Sequence, residues 1–259
     1  MVLENRFNKL IEARHGTILY NKNDIYIGKS IEKYGEFSYL EAKIFEQICK
    51  DGDVVIEVGA NIGAHTLYLS KLVGNGYVFA FEPQRLVFQN LCANLALNSI
   101  SNVFAYQEAV SNENGTIIIP ECNFKENNNF GGINIENTKN GTTVNKQKLD
   151  NFLNKIDRLK LLKIDVEGME ISVIKGASEL IKKFRPMIYV ENDRQEHSKE
   201  LIELLWSLDY KMYWHLPKLY NENNFFNDKE NIFGNIVSVN MFCIHKDLDI
   251  KVIDMVEVL

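Results

Sequence analysis

From Asp53 onward the hydrophobic positions alternate between two rhythms. Short β-rich runs are DVVIEV from Asp53, YVFAFE from Tyr77, NVFAYQEAV from Asn102, LKLLKID from Leu159, PMIYVEN from Pro186 and VSVNMFCIHK from Val237. Between them lie amphipathic stretches with apolar residues at helical spacing: GAHTLYLSKLV, Gln84 to about Leu97, GMEISVIKGASELIKKF and SKELIELLWSL. Strands alternating with helices of this length predict right-handed crossover units and a mostly parallel sheet covered on both faces. Residues 1–50 precede this rhythm as an extension of short strands ending in a helix, EFSYLEAKIFEQICK, and 51–259 form the main domain. Two insertions interrupt it. One, at about 111–150, begins with the extended run GTIIIPE and becomes rich in Asn and Gly; the other, at about 214–235, contains LPKLYNENNFFNDKENIFGN. Long insertions of this kind read as a flap over a site or as disordered chain.

The stretch DVVIEVGANIG focuses the chemistry, because its strand ends in Glu57 and opens into a loop with glycines at 59 and 63. In open parallel sheets ligands bind beyond the carboxyl ends of the strands, where the strand order reverses. Nineteen residues past Gly63, Glu82 ends the second strand, where a carboxylate accepts hydrogen bonds from a ribose diol. A dinucleotide prefers a glycine where Asn61 stands, and its pyrophosphate would be repelled by Glu57. S-adenosylmethionine has no phosphate, and its ammonium and sulfonium are favoured beside a carboxylate. A nicotinamide-dependent oxidoreductase and a non-catalytic relative of the fold remain as alternatives.

EVGANIGAHT, FEPQ, LCANLALN and especially LLKIDVEGMEISVIKGA resemble the FkbM family of S-adenosylmethionine-dependent methyltransferases, continuously from about Tyr34 to Glu191 and weakly again at NMFCIHK. The resemblance implies the class I methyltransferase fold, a Rossmann-like α/β sheet of seven strands in the order 3-2-1-4-5-7-6 with the last strand antiparallel. It implies methyl transfer to a hydroxyl of a sugar, glycan or related small metabolite. It also makes Glu57, Gly59, Ala60, Asn61 and Gly63 the cofactor loop and Glu82 the ribose acid. By the same resemblance Tyr34 and Glu36 close over the methionine end, Glu108 accepts from the adenine amine, and Asn240 matches a residue of the final strand.

KIDVEG sets Asp165 and Glu167 two residues apart at the end of the fourth long strand, and VENDR sets Glu191, Asn192 and Asp193 at the end of the next. Clustered carboxylates need a partner. In one reading Asp165 or Glu191 contacts the substrates and takes the acceptor's proton, with His215 a further candidate base near the acceptor. In a second, Asp165, Glu191 and Asn192 hold a divalent cation, magnesium or manganese, as oxygen ligands suit. In a third, Lys163 and Arg194 neutralise the acids. His197 is a weaker base candidate, and His65 and His245 read as packing and surface.

Bulk properties narrow the picture without deciding it. A chain of 259 residues can bury a large core. Its net charge of −6 argues against nucleic acid as the main partner. Its one tight basic cluster, Lys182 to Arg185, reads as a helix C-terminus. The four cysteines are widely spaced, the N-terminus is charged, and no apolar run is long enough to span a membrane, so the expectation is a cytoplasmic protein with reduced thiols. The first fifty residues could cover the site or mediate a dimer.

Overall fold

The structure, a computed structural model, describes residues 3–133 and 140–259; the middle of the first expected insertion, 134–139, lies outside the described residues. The chain opens with strands β1 (Leu3–Glu4), β2 (Asn8–Ala13) and β3 (Gly16–Asn21), followed by helices α1 (Ile27–Tyr34) and α2 (Tyr39–Ile48). The alternating part then runs β4 (Val54–Val58), α3 (Thr66–Val73), β5 (Tyr77–Phe81), α4 (Arg85–Leu97) and β6 (Val103–Tyr106). Three strands follow, β7 (Ala109–Val110), β8 (Gly115–Ile119) and β9 (Thr142–Gln147), and then a single 3₁₀ turn at Leu149–Phe152. The remainder is β10 (Leu161–Ile164), α5 (Glu170–Gly176), α6 (Ser178–Phe184), β11 (Met187–Glu191), α7 (Gln195–Ser207), β12 (Tyr210–His215), β13 (Asn240–His245) and β14 (Val256–Glu257).

The central sheet has the order β14-β12-β13-β11-β10-β4-β5-β6. Numbering its first seven strands along the chain gives 3-2-1-4-5-7-6, with the seventh, β13, antiparallel to both neighbours, as expected. The eighth strand, β14, was not expected: two residues near the C-terminus pair with the outer edge of β12. So short and exposed a strand carries no buried periodicity to announce it.

Both faces of the parallel part are covered, which is why VVIEV and LLKI are buried at every position. Side chains alternate across the sheet. Ile56, Val58, Leu162, Ile164, Ile188 and Val190 meet α5, α6, α7 and the 3₁₀ turn on one face. Val55, Val78, Leu161 and Tyr189 meet Phe45 of α2 and Leu69 and Val73 of α3 on the other.

Two expected elements are divided. The run NVFAYQEAV ends its sheet pairing at Tyr106, and Ala109–Val110 joins a separate three-stranded sheet with β9 and β8. The helix read across GMEISVIKGASELIKKF breaks at Ala177 into α5 and α6. The break lets the Asp150 carboxylate accept from the Leu180 N–H (2.9 Å) at the start of α6, satisfying a donor that a helix start leaves free. The cations of the basic cluster do fall in the last turn of α6. Of the late insertion, residues 216–239 run without regular structure apart from one bridge, Lys218 to Val237. Among the described residues no helix is long and apolar enough to cross a membrane.

The N-terminal sheet is attached by an unusual pairing. The outer edge of β3 meets two asparagines, Asn94 of α4 and Asn98 just past its C-terminal end, that act as a substitute strand. Asn94 accepts from Leu19 N–H (2.6 Å) and donates to its carbonyl (3.0 Å); Asn98 accepts from Thr17 N–H (2.9 Å) and donates to its carbonyl (2.6 Å). Four residues of helix rise about 6 Å and two residues of strand about 6.6 Å, so the two repeats match. Asn94 also donates to Ile62 O (2.8 Å), tying the same edge to the loop after β4. Replacing Asn94 with Ala leaves these buried groups unpaired and should cost about 2–3 kcal/mol in urea unfolding, with faster amide exchange at Leu19; an unchanged midpoint would contradict this attachment.

Candidate active site

Glu57, Lys163 and Tyr189 are in register across β4, β10 and β11 and therefore project from one face. Glu57 is fully buried: its Oε2 accepts from the Thr66 hydroxyl (2.6 Å), and its Oε1 lies 3.8 Å from the Lys163 ammonium. Burial raises the Glu57 pKa, and Lys163 works against that rise. Lys163, also buried, is 3.3 Å from Asp165, where β10 ends. Glu41 of α2 and His65 lie close to this group, with 3.5 Å between His65 Nε2 and Glu41 Oε2. Although burial alone would raise Glu41, the His65 ring and the Lys163 ammonium hold it down at about 2.

The loop after β4 needs glycine for a steric reason. At Gly59 the backbone has φ +83°, and a Cβ there would lie 1.7 Å from the Asp165 carbonyl oxygen. The tips of β4 and β10 therefore touch through bare backbone. Asn61 adopts the left-handed conformation (φ +51°), which Asn tolerates better than most residues. Its N–H donates to Glu82 Oε2 (3.0 Å), and the Gln84 N–H donates to Glu82 Oε1 (2.8 Å). Glu82 thus braces the loop while its carboxyl faces the cleft, and burial pushes its pKa up to about 7.

Beyond the tips of β10 and β11, oxygens of Asp165, Glu167 and Glu191 gather within 4.8 Å of one another. Arg194 pairs with Glu167 at 2.6 Å and contacts Asp193 at 3.3 Å. Glu191 Oε2 is enclosed and has no hydrogen-bond partner. Burial, then the charges of Asp165 and Glu167, raise the Glu191 pKa well above the usual carboxylate range; burial and Asp165 raise Glu167 to about 7.

Glu41, Glu57, Gly59, Asn61, His65, Glu82, Lys163 and the acids Asp165, Glu167, Glu191 and Asp193 line one cleft of about 220 Å³, whose further wall includes Tyr26, Phe37, Leu219, Ile236 and Val237. Asn129, Gly131 and Gly132 of the first insertion line it too, held by the Gln84 side chain donating to Phe130 O (2.8 Å).

Of the expected site residues, Glu57, Gly59, Ala60, Asn61, Glu82, Asp165 and Glu191 line the cleft. Gly63 stands behind it, where a Cβ would meet Leu91 at 2.7 Å. Several others are placed elsewhere. Tyr34 is a core residue, packed against Tyr220 and Phe233 with its hydroxyl donating to Glu230 O (2.8 Å). Glu36 pairs with Arg14 (2.5 Å) and accepts from Asn221 and from Phe225 N–H, anchoring the late insertion. Glu108 is hydrogen-bonded to Gln147 and borders a smaller hollow beside Gly59 and Pro83. His215 Nδ1 is hydrogen-bonded to the Tyr189 hydroxyl (2.7 Å), and neither residue lines the cleft. Of the set Asp165, Glu191 and Asn192, Asn192 does not line the cleft and its amide N–H donates to Met241 Sδ (3.4 Å), while the acidic oxygens that gather are those of Asp165, Glu167 and Glu191.

Sequence reasoning does not single out Glu41, and it assigns His65 to packing and Lys163 to charge neutralisation alone, yet all three line the cleft. A lone lysine inside the apolar run LLKID, costly to bury unpaired, was the available signal.

The strand order, the antiparallel seventh strand and the glycine loop between two acid-tipped strands define a class I methyltransferase fold. The chain belongs to the FkbM methyltransferase family: the pattern of the methyltransferase FkbM domain matches residues 57–212. It is 28% identical over 181 residues to methyltransferase sdnD of Sordaria araneosa, covering 56% of this chain and 70% of that one. It is 25% identical over 178 residues to the hexuronic acid methyltransferase AglP of Haloferax volcanii, covering 68% of this chain and 70% of the relative. The crystal structure of a methyltransferase FkbM from Methylobacillus flagellatus KT superposes with a TM-score of 0.50 at 17% identity, over 78% of this chain. The match spans half the length of that crystallised chain.

The raised Glu82 pKa has a stability consequence. Its folded-state value of about 7 exceeds the unfolded value, so its contribution is full at pH below about 4 and is lost as pH rises through 7. Comparing urea unfolding of the parent with Glu82→Ala, the stability difference between them should shift against the parent by about 2–3 kcal/mol from pH 4 to pH 8. A pH-independent difference would show that Glu82 titrates normally.

Proposed function

We propose that this protein is an S-adenosylmethionine-dependent O-methyltransferase acting on a hydroxyl of a sugar, glycan or related small metabolite. The observation that carries the reading is the pairing, in one cleft, of a carboxyl at the ribose position with an acid group whose Glu191 oxygen has no partner. The residues fit the donor: the Gly59 loop lines the cleft, Glu82 is oriented for the ribose hydroxyls, and Glu41, Glu57 and Asp165 exceed the nearby positive charge, which suits a cationic molecule. When bound, S-adenosylmethionine supplies an electrophilic methyl group on a sulfonium.

The chain's own groups do the rest. As the acceptor oxygen bonds to the methyl carbon and the carbon–sulfur bond breaks, Glu191 takes the hydroxyl proton. A carboxyl of raised basicity suits that task, since an alkyl hydroxyl is a poor nucleophile. Asp165 and Glu167 flank the oxygen and disfavour an anionic acceptor, which supports a hydroxyl over a carboxylate. The apolar wall of Tyr26, Phe37, Leu219, Ile236 and Val237 suits the faces of a sugar ring. A relative that methylates hexuronic acids supports the carbohydrate class.

A second reading places a divalent cation, magnesium or manganese, among Asp165, Glu167 and Glu191, and the unpartnered Glu191 oxygen favours it. Arg194 and Lys163 already supply positive charge to two of these acids, which weighs against it.

The test is transfer of labelled methyl from S-adenosylmethionine to a panel of sugars, uronic acids and their carboxyl-blocked esters. Esters should be accepted at least as well as free acids, and chelator should leave turnover unchanged. Glu191→Gln should lower turnover by about 10²- to 10⁴-fold with S-adenosylhomocysteine affinity retained. Absence of S-adenosylhomocysteine binding by the parent would refute the reading, and loss of turnover in chelator would favour the cation.

A further inference from the structure

Residues 129–132 of the first insertion close one side of the cleft, and they rest on the two residues that hold the ribose acid. The backbone N–H groups of Asn61 and Gln84 donate to the two oxygens of Glu82 (3.0 and 2.8 Å). The Gln84 side chain then donates to Phe130 O (2.8 Å), and a Cβ at Gly131 would lie 3.1 Å from the Asn61 side-chain nitrogen. The stem of the segment is fixed elsewhere. Phe130 is buried and stacked on Phe124 with ring centroids 4.6 Å apart, and the Asn21 and Asn23 side chains each donate to Phe124 O (3.0 Å). Asn128 joins Asn23 and Ile25 through its backbone N–H and carbonyl (3.0 and 3.1 Å). Among the described residues, the Gln84 amide therefore makes the one hydrogen bond between 129–132 and the glycine-loop half of the cleft.

Glu82 lets this arrangement respond to the donor. Burial lifts its carboxyl to about 7, so near neutral pH both of its forms are populated. Ribose hydroxyls donating to it favour the carboxylate, and a carboxylate accepts more strongly from the N–H groups of Asn61 and Gln84. We propose that Gln84 is a positioning residue that draws residues 129–132 over the donor's ribose, so that the seated donor completes the wall the acceptor meets. The proposal rests on the donor assigned above and adds to it an order of binding, donor before acceptor. It also gives the Asn- and Gly-rich insertion a task, since glycine at 131 lets the segment come against Asn61 where a side chain would be crowded.

Amide hydrogen exchange of the full chain, read in the peptide spanning 124–133, tests it with S-adenosylhomocysteine and 5′-methylthioadenosine, which share the ribose. Each at saturation should slow exchange there by about 10-fold, the effect of one strengthened hydrogen bond. Gln84→Met keeps the backbone N–H to Glu82 and the length of the side chain but removes its donor. It should speed exchange of that peptide in the free chain and abolish the slowing by either ligand. It should also weaken S-adenosylhomocysteine in calorimetry by no more than about 10-fold, as the reciprocity of the coupling requires. Direct cover by the ligand would persist in this variant, so an undiminished slowing in Gln84→Met would overturn the role of Gln84. Unchanged exchange in the parent with S-adenosylhomocysteine bound would overturn it equally, whether or not the variant folds, and would leave the donor assignment intact. Failure of both ligands to bind the parent would overturn both.

Discussion

The ammonium of Lys163 is the charge on which the cleft depends. It is buried in β10 in register with Glu57, beside Asp165 and within the electrostatic reach of Glu41. A buried ammonium is costly by itself, and so is each buried carboxylate. Lys163 is kept strongly basic by its acidic neighbours although burial acts against it, and it opposes the rise that burial imposes on Glu57. The outer acids share their counter-charge unevenly. Arg194 reaches Glu167, and Glu191 is left with an enclosed oxygen and a raised pKa. The same cleft thereby holds carboxylates suited to binding cations at one end and a carboxyl suited to taking a proton at the other.

This division follows the backbone. The touching tips of β4 and β10 at Gly59 bring the first group of acids to the second, and the Glu82 carboxyl braces the intervening loop through two N–H groups. The N-terminal extension is built into the same cleft. Its sheet is fastened by the asparagine pair at the end of α4, and its residues Tyr26, Phe37 and Glu41 form part of the wall. The family match at 57–212 covers Glu57, Glu82, Asp165 and Glu191 but not Tyr26, Phe37, Leu219, Ile236 or Val237. The apolar wall assigned to the acceptor is thus supplied by segments outside the shared core, consistent with one reaction core serving different acceptors.

What the sequence by itself determined was the periodic part of the molecule: its alternating strands and helices, the glycine loop, Glu82 one strand away and the acids at the tips of β10 and β11, the seven-strand order being implied by the family resemblance. These follow from local rules, since buried strands must be apolar, close backbone contacts need glycine, and functional acids stand at strand ends. Tertiary structure alone decided the rest. Helix α6 starts apart from α5 with Asp150, distant in sequence, accepting from its Leu180 N–H, and β14 pairs with the free edge of β12. Glu36 and Glu41 look alike in YGEFSYLE, yet one turns to Arg14 and the other to His65. Asn192 adjoins Glu191 but points to Met241, while Glu167 reaches the acids through a left-handed turn. The direction of a single side chain depends on partners brought from other elements, and local periodicity carries no record of them.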